Sequence, residues 1–330
     1  MQHLPLLQFF FRMFNKYWRT YPWSIQLLQF IIMVAIMGSF FAFIIPLLLY
    51  KQMNISTEAI LALSDKSPRY IINTMLTGQI FSSAGLFLLP ALLFAYATHP
   101  KPFQYLGLRK PEKSFHLLLC IIIILSATPL FLTIAEWMSH INLEAAKAAQ
   151  EMNDRMMKAF LSMHSLPQLL FSFFVMAILA GFGEELFFRG ILLRFTSRRI
   201  PSVLVSIIIV ALLFALLHSN IYGLPSIFLA GTLLGYFYYL TGSLWSSILA
   251  HIVYNGTQVL AVYYSDKNAT IAAMNEANHV PVLWTIIGTA ICISSFYLLW
   301  KTRTSLPANW TDDYTAEELT SLQKENTGSF

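Results

Sequence analysis

Three short stretches place proton-binding groups inside otherwise apolar sequence: EELFFR at Glu184–Arg189, FALLH at Phe214–His218 and HIVYN at His251–Asn255. Together they offer two carboxylates, a guanidinium, two imidazoles and an amide, the groups from which proton-transfer sites are built. Their surroundings make them costly. An acidic or basic side chain at the centre of a membrane helix costs about 2.5–3.5 kcal/mol, so such residues persist where they find partners or line a wet cavity. Elsewhere in the apolar runs, Gln79 and Glu136 are the main polar additions.

Spacing indicates which partners are local. Glu185 and Arg189 are four residues apart, share a helix face and can pair. Glu184 is turned about 100° away from Glu185, so its partner must come from another helix. Phe214 with His218, and His251 with Asn255, repeat the four-residue spacing. Ile200-Pro201 reads as a turn, because proline discourages helix at the preceding residue and suits the start of the next one. Glu184 lies seventeen residues before Pro201 and His218 seventeen after it. At 1.5 Å per residue, antiparallel helices put both at one height, about 25 Å from the turn. His251, near the middle of its own apolar run, reaches that level too. Such contacts can simply pin helices together, and the Glu185–Arg189 pair is read first as structural. The concentration of six polar groups at matching heights points to a functional role for Glu184, His218 and His251.

The elements that carry these residues follow from composition. The 330-residue chain is 57% hydrophobic and only 11% charged, with a mean hydropathy of +0.61. Soluble domains carry about 25% charged residues. Eight apolar runs approach the ~20 residues needed to cross a bilayer. They are Ser24–Tyr50, Ile71–Ala97, Phe115–Met138, Leu166–Arg189, Val203–His218, Leu224–Leu240, Leu244–Tyr264 and Val282–Trp300. Strand-like alternation is absent, so an all-α polytopic membrane protein of about eight transmembrane helices is expected. The fourth run is expected to stay helical past Arg189 toward Arg199. Residues 1–23, rich in Phe and Trp among Arg12, Lys16 and Arg19, read as an interfacial helix. Residues 24–301 form the bundle, and 302–330 read as a polar, loosely packed cytoplasmic tail. Residues 139–165 read as an amphipathic surface helix. Cys120 and Cys292 lie in apolar runs as packing residues.

Basic residues cluster before the first run and after the second, fourth and eighth, which places both termini in the cytoplasm. The net charge of +5 is therefore assigned to topology, with membrane lipid as the partner and no nucleic acid.

The three motifs, intact and in order, resemble those of the CAAX protease and bacteriocin-processing family (CPBP, or Abi) of intramembrane proteases. The resemblance covers roughly 166–264, and YLGLRKP at Tyr105–Pro111 is similar to the loop before the third span in bacterial members. It implies peptide-bond hydrolysis in or near a membrane, on a CAAX-type peptide, a bacteriocin leader or an anchored regulator. Glu184 and His218 would activate water, and His251 with Asn255 would stabilise the oxyanion. Arg189 would neutralise Glu185, and Phe214 would pack or wall the cavity. No cofactor is favoured. The alternative is Zn²⁺ on Glu184, His218 and His251, opposed by the lack of an HExxH helix and the scarcity of carboxylates to orient the ligands. A bacterial plasma membrane is the expected location. Two other functions fit buried carboxylates: a transporter, although no internal repeat is visible, and a non-catalytic immunity or scaffold protein of the same fold. A Glu184→Gln change separates catalyst from scaffold.

Overall fold

Apolar runs separated by polar turns can satisfy their backbone in lipid only as helices, and the computed structural model is helical in that pattern. It describes residues 17–141, 144–218, 220–265, 267–268 and 280–312. Eight long apolar helices stand where they are expected: α1 (Trp23–Gln52), α2 (Arg69–Thr98), α3 (Phe115–Ser139), α5 (Leu166–Ser197), α6 (Val203–Leu217), α7 (Leu224–Thr241), α8 (Leu244–Ser265) and α9 (Val282–Lys301). Among the described residues there is no strand. Six of these helices are long and apolar enough to cross a membrane: α1, α2, α3, α5, α7 and α9.

The other two miss that criterion for different physical reasons. α6 has only 15 residues, about 22 Å of rise against a hydrocarbon layer of about 30 Å. α8 is long enough at 22 residues, but Ser246, Ser247, His251, Asn255 and Gln258 dilute its apolarity. Both carry motif residues.

α4 (Glu144–Phe160) is the expected amphipathic helix. Its end is anchored, with Ala159 and Phe160 buried against Ile72, Met75 and Leu76 of α2. The expected interfacial N-terminal helix falls largely on residues 1–16, outside the described residues; Trp18–Thr20 forms a single 3₁₀ turn.

Close approach of helices depends on missing side chains. A Cβ on Gly235 of α7 would lie 2.7 Å from Ile207 Cγ2 of α6, and one on Gly231 would lie 3.1 Å from Phe214 Cδ1. Gly231 and Gly235 share one face, the small-xxx-small pattern that lets membrane helices touch. On the other side of the site, a Cβ on Gly256 of α8 would lie 2.7 Å from Phe173 of α5. A Gly235→Leu change is expected to lower stability by about 1–3 kcal/mol through overpacking. Thermal unfolding in detergent measures it, and Gly235→Ala should fall between the two.

One end of the bundle carries a cluster of basic residues. Arg198 donates to Gln26 at 3.2 Å, joining the end of α5 to the start of α1. Lys113 donates to the Thr302 carbonyl at 2.9 Å, joining the start of α3 to the end of α9. The loop at 105–111 docks on the α7–α8 turn, with Leu244 N–H donating to the Gly107 carbonyl at 2.9 Å.

The expectation of a loosely packed tail is corrected for residues 302–312. The last carbonyls of α7 have no partner within the helix. They accept from the returning chain instead: Thr304 N–H donates to Leu240 at 2.9 Å and Leu306 N–H to Tyr239 at 3.0 Å. Leu306 is buried in the main core, and Arg194 of α5 donates to the Trp310 and Asp312 carbonyls, both at 2.7 Å. Residues 313–330 lie outside the described residues.

Candidate active site

Glu184 and Glu185 end a short regular stretch of α5, Ala180–Glu185, between two wide π-helical stretches, Phe174–Leu179 and Leu186–Leu192. Such widened turns recur at functional sites because they re-aim neighbouring side chains. α5 continues to Ser197 as expected. His218 caps the C-terminal end of α6. His251 and Asn255 sit one turn apart on α8.

The expected coincidence of heights holds. Glu184 Oε2 is 3.9 Å from His218 Nε2 and 3.8 Å from His251 Nε2. The two carboxylates part company as their rotation requires. Glu184 points at the imidazoles and is 14% exposed, while Glu185 is fully buried. Glu185 Oε1 accepts from Arg189 Nη1 at 2.6 Å and pairs with His251 Nδ1 at 2.9 Å. Arg189 Nη2 donates to the Gly231 carbonyl at 2.7 Å.

The imidazoles are held in defined orientations. The Phe214 carbonyl can only accept, so His218 Nδ1, 2.7 Å away, carries a proton and leaves Nε2 as the free face. His251 Nδ1 faces a carboxylate in the same way, so its Nε2 also turns toward Glu184. The Phe214 ring packs against both imidazoles, with centroids 4.5 Å from His218 and 5.8 Å from His251, and lies under the Arg189 guanidinium at 4.8 Å. It is a wall of the site, 2% exposed. The Asn255 amide donates to the Met176 carbonyl at 3.1 Å, within the first π-helical stretch of α5.

Six of the seven motif residues therefore come together around α5, α6, α7 and α8, while Asn255 reaches the Met176 carbonyl, eight residues before Glu184. Three parts of the assembly were not read from the sequence: the Glu185–His251 contact, the Gly231 carbonyl and the Met176 carbonyl. The four-residue spacing of Gly231 and Gly235 was the available signal for the second. Backbone acceptors such as Met176 leave no mark in a sequence.

The donor set has the chemistry of a zinc site, a carboxylate and two imidazoles. Each imidazole has its outer nitrogen anchored, one on the Glu185 carboxylate and one on the Phe214 carbonyl. The spacing is looser than zinc requires. Bonds of 2.0–2.1 Å in a tetrahedral shell hold ligand atoms about 3.3 Å apart, whereas these stand at 3.8 and 3.9 Å. No group of three or more such donors among the described residues is closed to metal-holding distance.

Residues 166–257 match the family model for Type II CAAX prenyl endopeptidase Rce1-like proteins. The match begins with the first residue of α5 and runs past Asn255, so it contains every motif residue. It bears out the likeness to the CAAX protease family over that stretch. Neither a curated protein nor a solved structure matches the chain.

Proposed function

We propose, taking residues 166–257 as an Rce1-like endopeptidase region, that the protein hydrolyses a peptide bond of a membrane-associated protein or peptide, with Glu184 as general base. The observation that carries this reading is the convergence of the Glu184 carboxylate on two imidazoles at 3.8–3.9 Å. These separations are too long for direct hydrogen bonds and suit groups that share one small polar guest. Among the described residues, Glu184 Oε2 has no hydrogen-bond partner of its own.

In this mechanism Glu184 accepts a proton from water while His218 Nε2 orients it. The resulting hydroxide forms a bond to the scissile carbonyl carbon, and negative charge moves to the carbonyl oxygen. His251, donating from Nε2 in its protonated form, and the second amide hydrogen of Asn255 stabilise that oxyanion. Collapse breaks the C–N bond, and the Glu184 proton passes to the leaving amine. Glu185, Arg189 and the Gly231 carbonyl are positioning groups that hold His251. The basic end of the bundle faces the cytoplasm of a bacterial plasma membrane, and the substrate is a CAAX-type peptide, a bacteriocin leader or an anchored regulator.

Membrane proteomes of wild-type and Glu184→Gln strains test the activity. Fragments that disappear in the variant identify substrates; identical proteomes remove the proposal.

The anchored imidazoles favour one second reading, in which Glu184, His218 and His251 would hold zinc and the metal would supply Lewis-acid chemistry. Metal analysis of purified protein and cleavage after chelation divide the two. The glutamate mechanism expects substoichiometric metal and unchanged cleavage. One zinc per chain, whose removal abolishes turnover, replaces it with metal catalysis.

A further inference from the structure

A second concave feature lies away from the carboxylates. α3, α7 and α9 enclose a groove of about 570 Å³ lined by Ala127, Leu130, Leu233, Tyr236, Tyr297 and Trp300, with Cys292 on its wall. Its mouth is at the basic end. Trp300 is next to the last residue of α9, and Tyr236 sits five residues before the end of α7. Its deep end, at Phe131, lies sixteen residues into α3, about 24 Å down. That runs past the middle of a hydrocarbon layer of about 30 Å.

Two cations stand at the mouth, on the aromatic rings that form it. Lys301 Nζ is 5.9 Å from the Tyr297 ring centroid, and the Arg303 guanidinium is 4.8 Å from that of Trp300. Both residues are exposed. Lys113, on the neighbouring loop, bonds the Thr302 carbonyl between them. The carboxylate on that loop is Glu112, also exposed. An apolar slot that runs from the interface past mid-membrane, rimmed by aromatic rings and crowned by cations, matches a lipid with a long chain and an anionic headgroup.

The position of α7 separates this groove from the catalytic groups. Leu229, Leu233 and Tyr236 line the groove from α7. Gly231, which accepts from Arg189, belongs to the face turned toward α6. A chain lying in the groove is therefore behind α7 relative to Glu184, which favours a resident bilayer lipid over the tail of a substrate.

We propose that this groove is a binding site for an anionic phospholipid of the leaflet at the basic end. One acyl chain lies between α3, α7 and α9, and Lys301 and Arg303 hold the phosphate.

Native mass spectrometry of the full-length protein tests it, with equal concentrations of dioleoyl phosphatidylglycerol and dioleoyl phosphatidylcholine in detergent. The expected result is one retained lipid with roughly a five- to thirtyfold preference for phosphatidylglycerol, the worth of one to two basic residues beside an anionic headgroup. Lys301→Gln with Arg303→Gln, both at exposed positions that leave packing intact, should erase the preference while keeping the chain in place. Cys292→Trp, which fills the groove, should displace either lipid. Equal retention of the two lipids, or a preference that survives loss of both charges, overturns the proposal. So does displacement of phosphatidylglycerol by a farnesylated peptide, which would make the groove a substrate site.

Discussion

Replacing Glu184 with Gln leaves a protein that inserts, folds and retains substrate but turns over about 10²–10⁴-fold more slowly, the usual worth of a positioned general base. The shape of the side chain is kept. What is lost is the capacity to take a proton. Little stability should go with it, because Glu184 Oε2 has no hydrogen-bond partner among the described residues and stands 3.8–3.9 Å from the imidazoles. Turnover of a reporter peptide in proteoliposomes, beside thermal unfolding of the same preparation, measures both. A variant that cleaves at the wild-type rate ends the assignment of Glu184 as base. A variant that fails to fold moves Glu184 into the structural group.

Replacing Arg189 with Met is expected to have the largest effect on folding. Arg189 is 1% exposed and Glu185 fully buried, so the change strands a carboxylate in the interior. Breaking a buried ion pair from one side costs about 3–5 kcal/mol, enough to unfold a marginally stable domain. The loss extends past the charge, since Arg189 also reaches the Gly231 carbonyl and covers the Phe214 ring. Lys should rescue poorly, because an ammonium lacks the planar fork that serves two acceptors together. A second change, Glu185→Gln, removes the stranded charge while keeping an acceptor for His251 Nδ1. The double variant should recover most of the folded yield, and a double-mutant cycle on unfolding temperature gives the coupling. If Arg189→Met alone is as stable as the parent, neither the buried pair nor the Arg189 bond to the Gly231 carbonyl of α7 holds the fold together.

What could be read from the sequence divides along a physical line. Rise along a helix is nearly constant, so counting residues from Pro201 correctly placed Glu184 and His218 at one height. Composition likewise located all eight apolar helices and the amphipathic α4. Rotation about each axis is not constant where π-helical stretches intervene, as they do on both sides of Glu184. For that reason the contact between Glu185 and His251 was not legible, although the Glu185–Arg189 pair was. Composition also misled at the C-terminal segment. Its polar residues say nothing of backbone N–H groups, and it is these that bond the open carbonyls of α7.

The fifteen-residue α6 has a consequence for the membrane itself. A helix about 8 Å short of the ordinary hydrocarbon thickness obliges the lipid beside it to thin, or headgroups and solvent to dip after the chain. The dip ends at His218, which is 33% exposed. The proposed hydrolysis would consume one water per bond cleaved, and a local dent in the bilayer would deliver it there without a dedicated channel.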